Sequence, residues 1–126
     1  MKLVFSFILF TLTTFLMSCD PYYSITLTNK TADTVSVIIK QNYKFSSEKT
    51  AFGKTKDEYK IYKITPNEIF KVGSAIAEID NDIPFDNILI VSGNDTTKAN
   101  KLVEIKMLFD KKTFGGLKAP YNIIIK

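Results

Sequence analysis

The feature that most constrains this chain is a two-residue rhythm of β-branched and polar side chains. In SITLTNKTADTVSVIIK, Ile25 and Leu27 alternate with Ser24, Thr26 and Thr28, and Val35, Val37 and Ile39 alternate with Thr34, Ser36 and Ile38. A period of two sends successive side chains to opposite faces of an extended strand, so that one face can be buried while the other meets water. Residues 29–33 are rich in turn formers and short enough for a hairpin loop. YKIYKI (59–64) and EIFKVG (68–73) flank Thr65-Pro66-Asn67, where Pro66 pre-sets a turn, and they predict a second hairpin. NILIVS (87–92), KLVEIKMLF (101–109) and YNIIIK (121–126) continue the series. The second of these would place Val103, Ile105, Met107 and Phe109 on one face, and the third Tyr121, Ile123 and Ile125.

Six or seven short strands with turn signals between them, and no long helix, predict an all-β fold: one antiparallel β-sandwich domain over residues 24–126. SAIAEID (74–80) fits either a strand or one to two helical turns. Residues 41–58 are polar and Lys-rich and read as a long connection with a short strand around 43–46; such loops are commonly functional.

All 17 basic residues are Lys, and Arg, His and Trp do not occur, against 13 acidic residues and a net charge of +4. Without Arg there is no bidentate fork for phosphate or guanine, and the Lys residues are interspersed with Asp and Glu, so nucleic acid is not an expected partner. Without His the ordinary general base and zinc ligand are missing, and no catalytic, metal or cofactor site is expected.

The first residues follow a different pattern. Met1 and Lys2 precede LVFSFILFTLTTFL (3–16), an uncharged apolar run too short to be a membrane-spanning helix, which reads as a secretory signal. The run ends in Leu16-Met17-Ser18-Cys19, and Cys19 is the only cysteine. This boundary resembles the bacterial lipobox. The resemblance implies that residues 1–18 are removed and that Cys19 is acylated and holds the protein on a bilayer, with residues 19–23 as a tether. ITLTNKTADTVSVIIK, KITPNEIF and YNIIIK together resemble small β-sandwich lipoproteins of Bacteroidota. That likeness implies an envelope location and an immunoglobulin-like or transthyretin-like sandwich, here of about seven strands; because no acidic or Lys-rich cluster of the kind that marks surface export follows Cys19, the expected site is the outer membrane, facing the periplasm. It brings no activity with it.

Few residues suggest chemistry. EIDNDIPFD gathers Glu78, Asp80, Asp82 and Asp86, but an EF-hand count from Asp80 puts Phe85 where a turn Gly is needed and Val91 where a bidentate carboxylate is needed, so a solvated acidic turn is expected. Asp33-Thr34-Val35 and Asp95-Thr96-Thr97 resemble O-glycosylation acceptors of Bacteroidota and are also ordinary turn sequences. Tyr59, Tyr62 and Tyr121 lie in strand patterns and are expected at the margin of the core. Tyr22 and Tyr23 in the tether, and Tyr43, Phe45 and Phe52 in the long loop, are the expected contacts to a protein or glycan partner, the alternative for the three loop residues being that they fold back as a lid on the sandwich. The expected function is therefore a non-catalytic, membrane-anchored binding or structural lipoprotein. The alternatives are an inhibitor or immunity lipoprotein that neutralises a hydrolase or toxin, and a small carbohydrate-binding module.

Overall fold

The computed structural model describes residues 22–76, 79, 81–110 and 121–126. These form β1 (Tyr22–Asn29), β2 (Val35–Gln41), β3 (Gly53–Lys54), β4 (Lys60–Ile64), β5 (Ile69–Ile76), β6 (Phe85–Ser92), β7 (Asp95–Ala99), a helix α1 (Leu102–Leu108) and β8 (Tyr121–Ile125). One sheet has the order β5-β1-β8 and the other β3-β4-β2-β6-β7. The alternation in each strand determines what lies between them. Ile25, Leu27, Val72 and Ile123 from the first sheet share one buried cluster with Val37, Ile39, Ile88 and Ile90 from the second. Ile123 and Ile125 are both buried, as the pattern of the last strand requires.

Neither expected hairpin forms. β1 and β2 lie in different sheets, and so do β4 and β5. A hairpin would leave two neighbouring strands with their apolar faces on the same side and uncovered, whereas crossing between sheets sets Ile25 and Leu27 opposite Val35, Val37 and Ile39. The crossings are built from turn chemistry all the same. Thr65-Pro66-Asn67-Glu68 closes with the Glu68 N–H on the Thr65 carbonyl at 3.1 Å, and Asn67 has φ 62°, the positive value that a type II turn requires at its third position.

The two crossings meet at Asn29, which is fully buried. Its Nδ2 donates to the carbonyls of Asp33 (2.8 Å) and Ile64 (2.9 Å), while its Oδ1 accepts from the Thr31 N–H (2.9 Å) and hydroxyl (2.7 Å). The Asn67 N–H donates to its backbone carbonyl at 2.7 Å.

The sandwich is not wholly antiparallel. β8 pairs parallel with β1, from Ile25↔Tyr121 to Asn29↔Ile125, while every other strand pair is antiparallel. In β5 a bulge opposite Ile25 and Thr26 leaves Val72 and Gly73 consecutively buried. A Cβ on Gly73 would stand 3.1 Å from Pro84 Cβ, so this close approach favours glycine.

Two further expectations are corrected. KLVEIKMLF is mostly helix rather than strand: α1 turns Ile105 inward while Val103 and Met107 remain exposed. Its Leu, Glu, Lys and Met are good helix formers, and a spacing of four brings Ile105 and Phe109 to the core together. Phe109 then bridges Ile123. Asp95-Thr96-Thr97 opens a strand, β7, that pairs with β6 across Gly93-Asn94; Gly93 at φ 58° supplies the positive first position of a two-residue hairpin turn. SAIAEID divides: Ser74 to Ile76 end β5, and residues 77, 78 and 80 lie outside the described residues.

Replacing Asn29 with Ala strands two carbonyls and a Thr31 N–H in or near the core, and urea denaturation is expected to show a loss of about 2–4 kcal/mol. The helix makes its own prediction: Ile105→Ala should lose about 2–4 kcal/mol and Val103→Ala less than about 0.5 kcal/mol. Equal losses would restore the strand.

Candidate functional site

The expected contact residues separate into three environments. Cys19 lies outside the described residues. Tyr22 and Tyr23 belong to β1 rather than to a tether, and nothing is described of the Tyr22 side chain. Tyr23 is half-buried and meets Tyr121 edge-on, with centroids 6.0 Å apart at 82°. Its ring is therefore part of the sandwich margin.

The long connection does not form a strand at 43–46. Asn42 ends β2's run, its Oδ1 accepts the Lys44 N–H at 3.0 Å, and the Phe45 N–H returns to the Asn42 carbonyl at 3.1 Å, which makes a tight turn tipped by Tyr43. The chain then crosses to the other sheet, where the Ser46 N–H donates to the Val72 carbonyl at 3.0 Å. Phe45 folds onto the core, its ring 5.7 Å from Tyr62 and 6.4 Å from Phe70, with Tyr62 and Phe70 themselves 4.8 Å apart. An aromatic ring in this loop gains more from that burial than from water. Burial pushes the Tyr62 hydroxyl above its usual pKa, opposed by a hydrogen bond from Gln41 Nε2 at 2.5 Å. Tyr43 and Phe52 remain outside, 91% and 75% exposed.

Phe52 leads to a surface that the loop-centred expectation missed. Its N–H donates to the Ile61 carbonyl at 2.7 Å, and the Lys63 ammonium stands 5.5 Å from its ring centroid and donates to Ser36 Oγ at 2.7 Å. Lys63 and Ser36 face away from the core, so Phe52 borders the outer face of the five-stranded sheet. Register fixes the rest of that face, because directly paired residues share a side. One row runs Gly53, Ile61, Ile38, Leu89, Lys98 across all five strands, and the adjacent row runs Lys63, Ser36, Val91, Thr96. Lys40 and Asn87 follow on the other side. A solvated sheet face ordinarily alternates to polar residues. Here Ile38, Ile61, Leu89 and Val91 form a half-buried apolar centre, with Lys40, Lys63 and Lys98 around it and no carboxylate in these rows. Neither Lys40 nor Lys98 makes an ion pair with a described residue. The signal was present in the sequence: VSVIIK and NILIVS carry apolar residues at both parities, which means two covered faces.

A cleft of about 600 Å³ opens between β7 and β8, where Ile90, Leu108 and Ile124 meet Asp95, Asp110 and Thr97. Its walls offer neither imidazole nor thiol. Among the described residues no group of three or more acidic, His or Cys side chains is placed to hold a metal, and no helix is long and apolar enough to cross a membrane. Asp82 accepts the Ile76 N–H at 3.0 Å and Asp86 accepts from Asn42 Nδ2 at 3.3 Å, while Glu78 and Asp80 lie outside the described residues. Thr34 and Thr96 are both exposed. Comparison with protein-family models, with curated proteins and with solved structures finds no match to this chain.

The loop is fastened by Lys49, which pairs with Glu68. Partial burial alone would raise the Glu68 pKa, but the hydrogen bond and charge of Lys49, together with the Thr65 N–H and hydroxyl, outweigh it and hold the carboxyl below its usual value of 4.5. A lowered folded-state pKa stabilises above the unfolded value and is lost as pH falls through the folded one. Glu68→Gln should therefore lower the urea midpoint at neutral pH, and the gap to wild type should close on acidification below about pH 4. A gap that widened in acid would contradict this linkage.

Proposed function

We propose that this chain is a lipid-anchored envelope lipoprotein, held through Cys19 on the outer membrane facing the periplasm, whose sandwich is a non-catalytic binding module. The observation that carries the reading is the outer face of the five-stranded sheet. An apolar centre ringed by Lys40, Lys63 and Lys98, with no carboxylate in the same rows and no ion pair from these lysines to a described residue, is uncommon on a solvated sheet, and such a patch marks an interaction surface. Its charge suits a protein partner that presents carboxylates around an apolar patch. A second copy of this chain would set lysine against lysine, because a two-fold contact brings the same patch to both sides. The centre is aliphatic rather than aromatic, which favours protein over sugar. An inhibitor that works by inserting residues 41–58 into a target would need that loop displayed, and Phe45 and Lys49 hold it to the sandwich.

Strand order supports one of the two expected sandwich types. In the immunoglobulin arrangement the first two strands share a sheet. Here β1 and β2 are in opposite sheets, which favours the transthyretin-like alternative.

The experiment uses the full lipoprotein in its native envelope, with a photo-reactive amino acid at Thr96. Adducts to an acidic protein are expected, and Ile38→Lys or Leu89→Lys, each folded by circular dichroism, should abolish them. Adducts that persist in both variants would place the contact elsewhere. Intact-mass measurement of the same material should give an acylated product that begins at Cys19, and an unmodified thiol would defeat the anchor.

A further inference from the structure

The strand directions give the sandwich two distinct ends. β1 begins at one end together with the end of β5 (Tyr22↔Ile76); the short link from Asn29 to Val35 turns the chain back at the far end, so that β2 finishes and β6 starts (Gln41↔Phe85) at the first end, where the Ile76 N–H donates to Asp82 Oδ2 at 3.0 Å. The Ile88↔Ala99 pairing brings the end of β7, and hence the start of α1, to the same end. A shallow groove confirms the grouping, since Asn42, Lys44, Ile83, Phe85, Leu102 and Ile105 line it together. Around it stand Tyr43 (91% exposed), Val103 (70%), Ile76 (57%) and Leu102 (49%). Among the described residues, the opposite end carries the turns 29–33, 65–68 and 93–94, which are polar apart from Ala32 and Pro66, with the exposed Ile69 beside them.

We propose that this first end rests on the bilayer, with Tyr43, Leu102, Val103 and Ile76 in the lipid headgroup region. The inference rests on the reading of Cys19 as acylated, and chain geometry then selects the surface. Cys19 is three residues before Tyr22, a reach of at most about 11 Å. Packed sheets are about 10 Å apart and side chains project further. Laying the outer face of the five-stranded sheet on the lipid would lift β1, in the other sheet, beyond that reach. The outer face of the three-stranded sheet is also within reach, but its Ile69 and Ile124 sit at the far end of the strands, and Ser24, Thr26, Lys71, Ser74 and Asn122 separate them from Ile76, with Thr26 and Thr28 donating to Asn122 Oδ1 at 3.1 and 3.0 Å. The end near Tyr22 is both within reach and apolar. Tyr43 suits the interface, with a ring for the acyl boundary and a hydroxyl for water. Among the described residues Lys44, Lys56, Lys60 and Lys101 share this end with Asp57, Glu58, Asp82 and Asp86, so the contact needs no anionic lipid. With this end down, the strands stand up from the membrane and the lysine-ringed face stays open to a partner.

The chain contains no Trp, so a single introduced indole reports one position. Full-length lipoprotein carrying Tyr43→Trp, Leu102→Trp or Phe52→Trp is purified, its acylation checked by intact mass, and reconstituted in phosphatidylcholine vesicles with brominated acyl chains. Tyr43→Trp and Leu102→Trp should lose most of their emission relative to unbrominated vesicles, at low and high salt alike, while Phe52→Trp keeps its own. Acylated protein in which Tyr43→Trp and Leu102→Trp are unquenched, or in which Phe52→Trp is quenched instead, overturns the orientation and leaves the anchor standing. An unacylated mass overturns the anchor and the orientation with it.

Discussion

The fold depends on one buried amide. Asn29 lies where the chain leaves the three-stranded sheet and close to where it returns from β4 to β5, and its side chain makes four hydrogen bonds in a place that water does not reach. Its backbone adds two more, the carbonyl accepting from Asn67 and the N–H donating to the Glu68 carbonyl at 3.1 Å. A buried amide left unpartnered is costly, whereas a fully satisfied one is stabilising and admits little alternative geometry. Asn29 thereby fixes where both crossings turn, and with them how the two sheets face each other.

The sequence revealed strands better than it revealed their connections. Ile25 and Leu27, Val35 to Ile39, and Ile123 and Ile125 all turn inward as their alternation requires, because period two carries the same meaning in any sheet. Asn29 to Asp33 and Thr65 to Glu68 are turns, but turn residues specify a reversal and not its plane, so hairpin and sheet crossing look alike locally. KLVEIKMLF satisfies both periods over nine residues, and its helix formers, together with the packing of α1 against β6 and β7, select the helix. DTTKA has no apolar alternation to read, since four of the five residues of β7 are exposed.

The candidate surfaces were legible in a similar, partial way. Tyr43 and Phe52 stood out as aromatics in a polar loop and are exposed; Phe45 had the same signature and is packed against Tyr62 and Phe70. Nothing local distinguishes the three. What does is the bond from Ser46 to Val72, which brings Phe45 across the gap between the sheets and leaves Tyr43 at the preceding turn. The outer face was harder to see because VSVIIK and NILIVS read simply as strong strands. Their second apolar face acquires meaning only when β4, β2 and β6 are known to be neighbours.

Edge protection explains why the broad face, and not an added strand, is the available mode of contact. Open strand edges recruit other chains, and proteins shield them. In this sandwich Ser46 is bonded to the outer edge of β5, Phe109 and Asp110 cover part of β8, and β3 is two residues long. β7 is the remaining edge, and it carries Asp95 and Lys98 in five residues. With strand addition thus discouraged, the broad apolar surface left on the five-stranded sheet is its centre, where backbone groups are already paired and only side chains are offered. The partner proposed for this face would have to match side-chain shape and the ring of Lys charge, a requirement that an arbitrary extended chain does not meet.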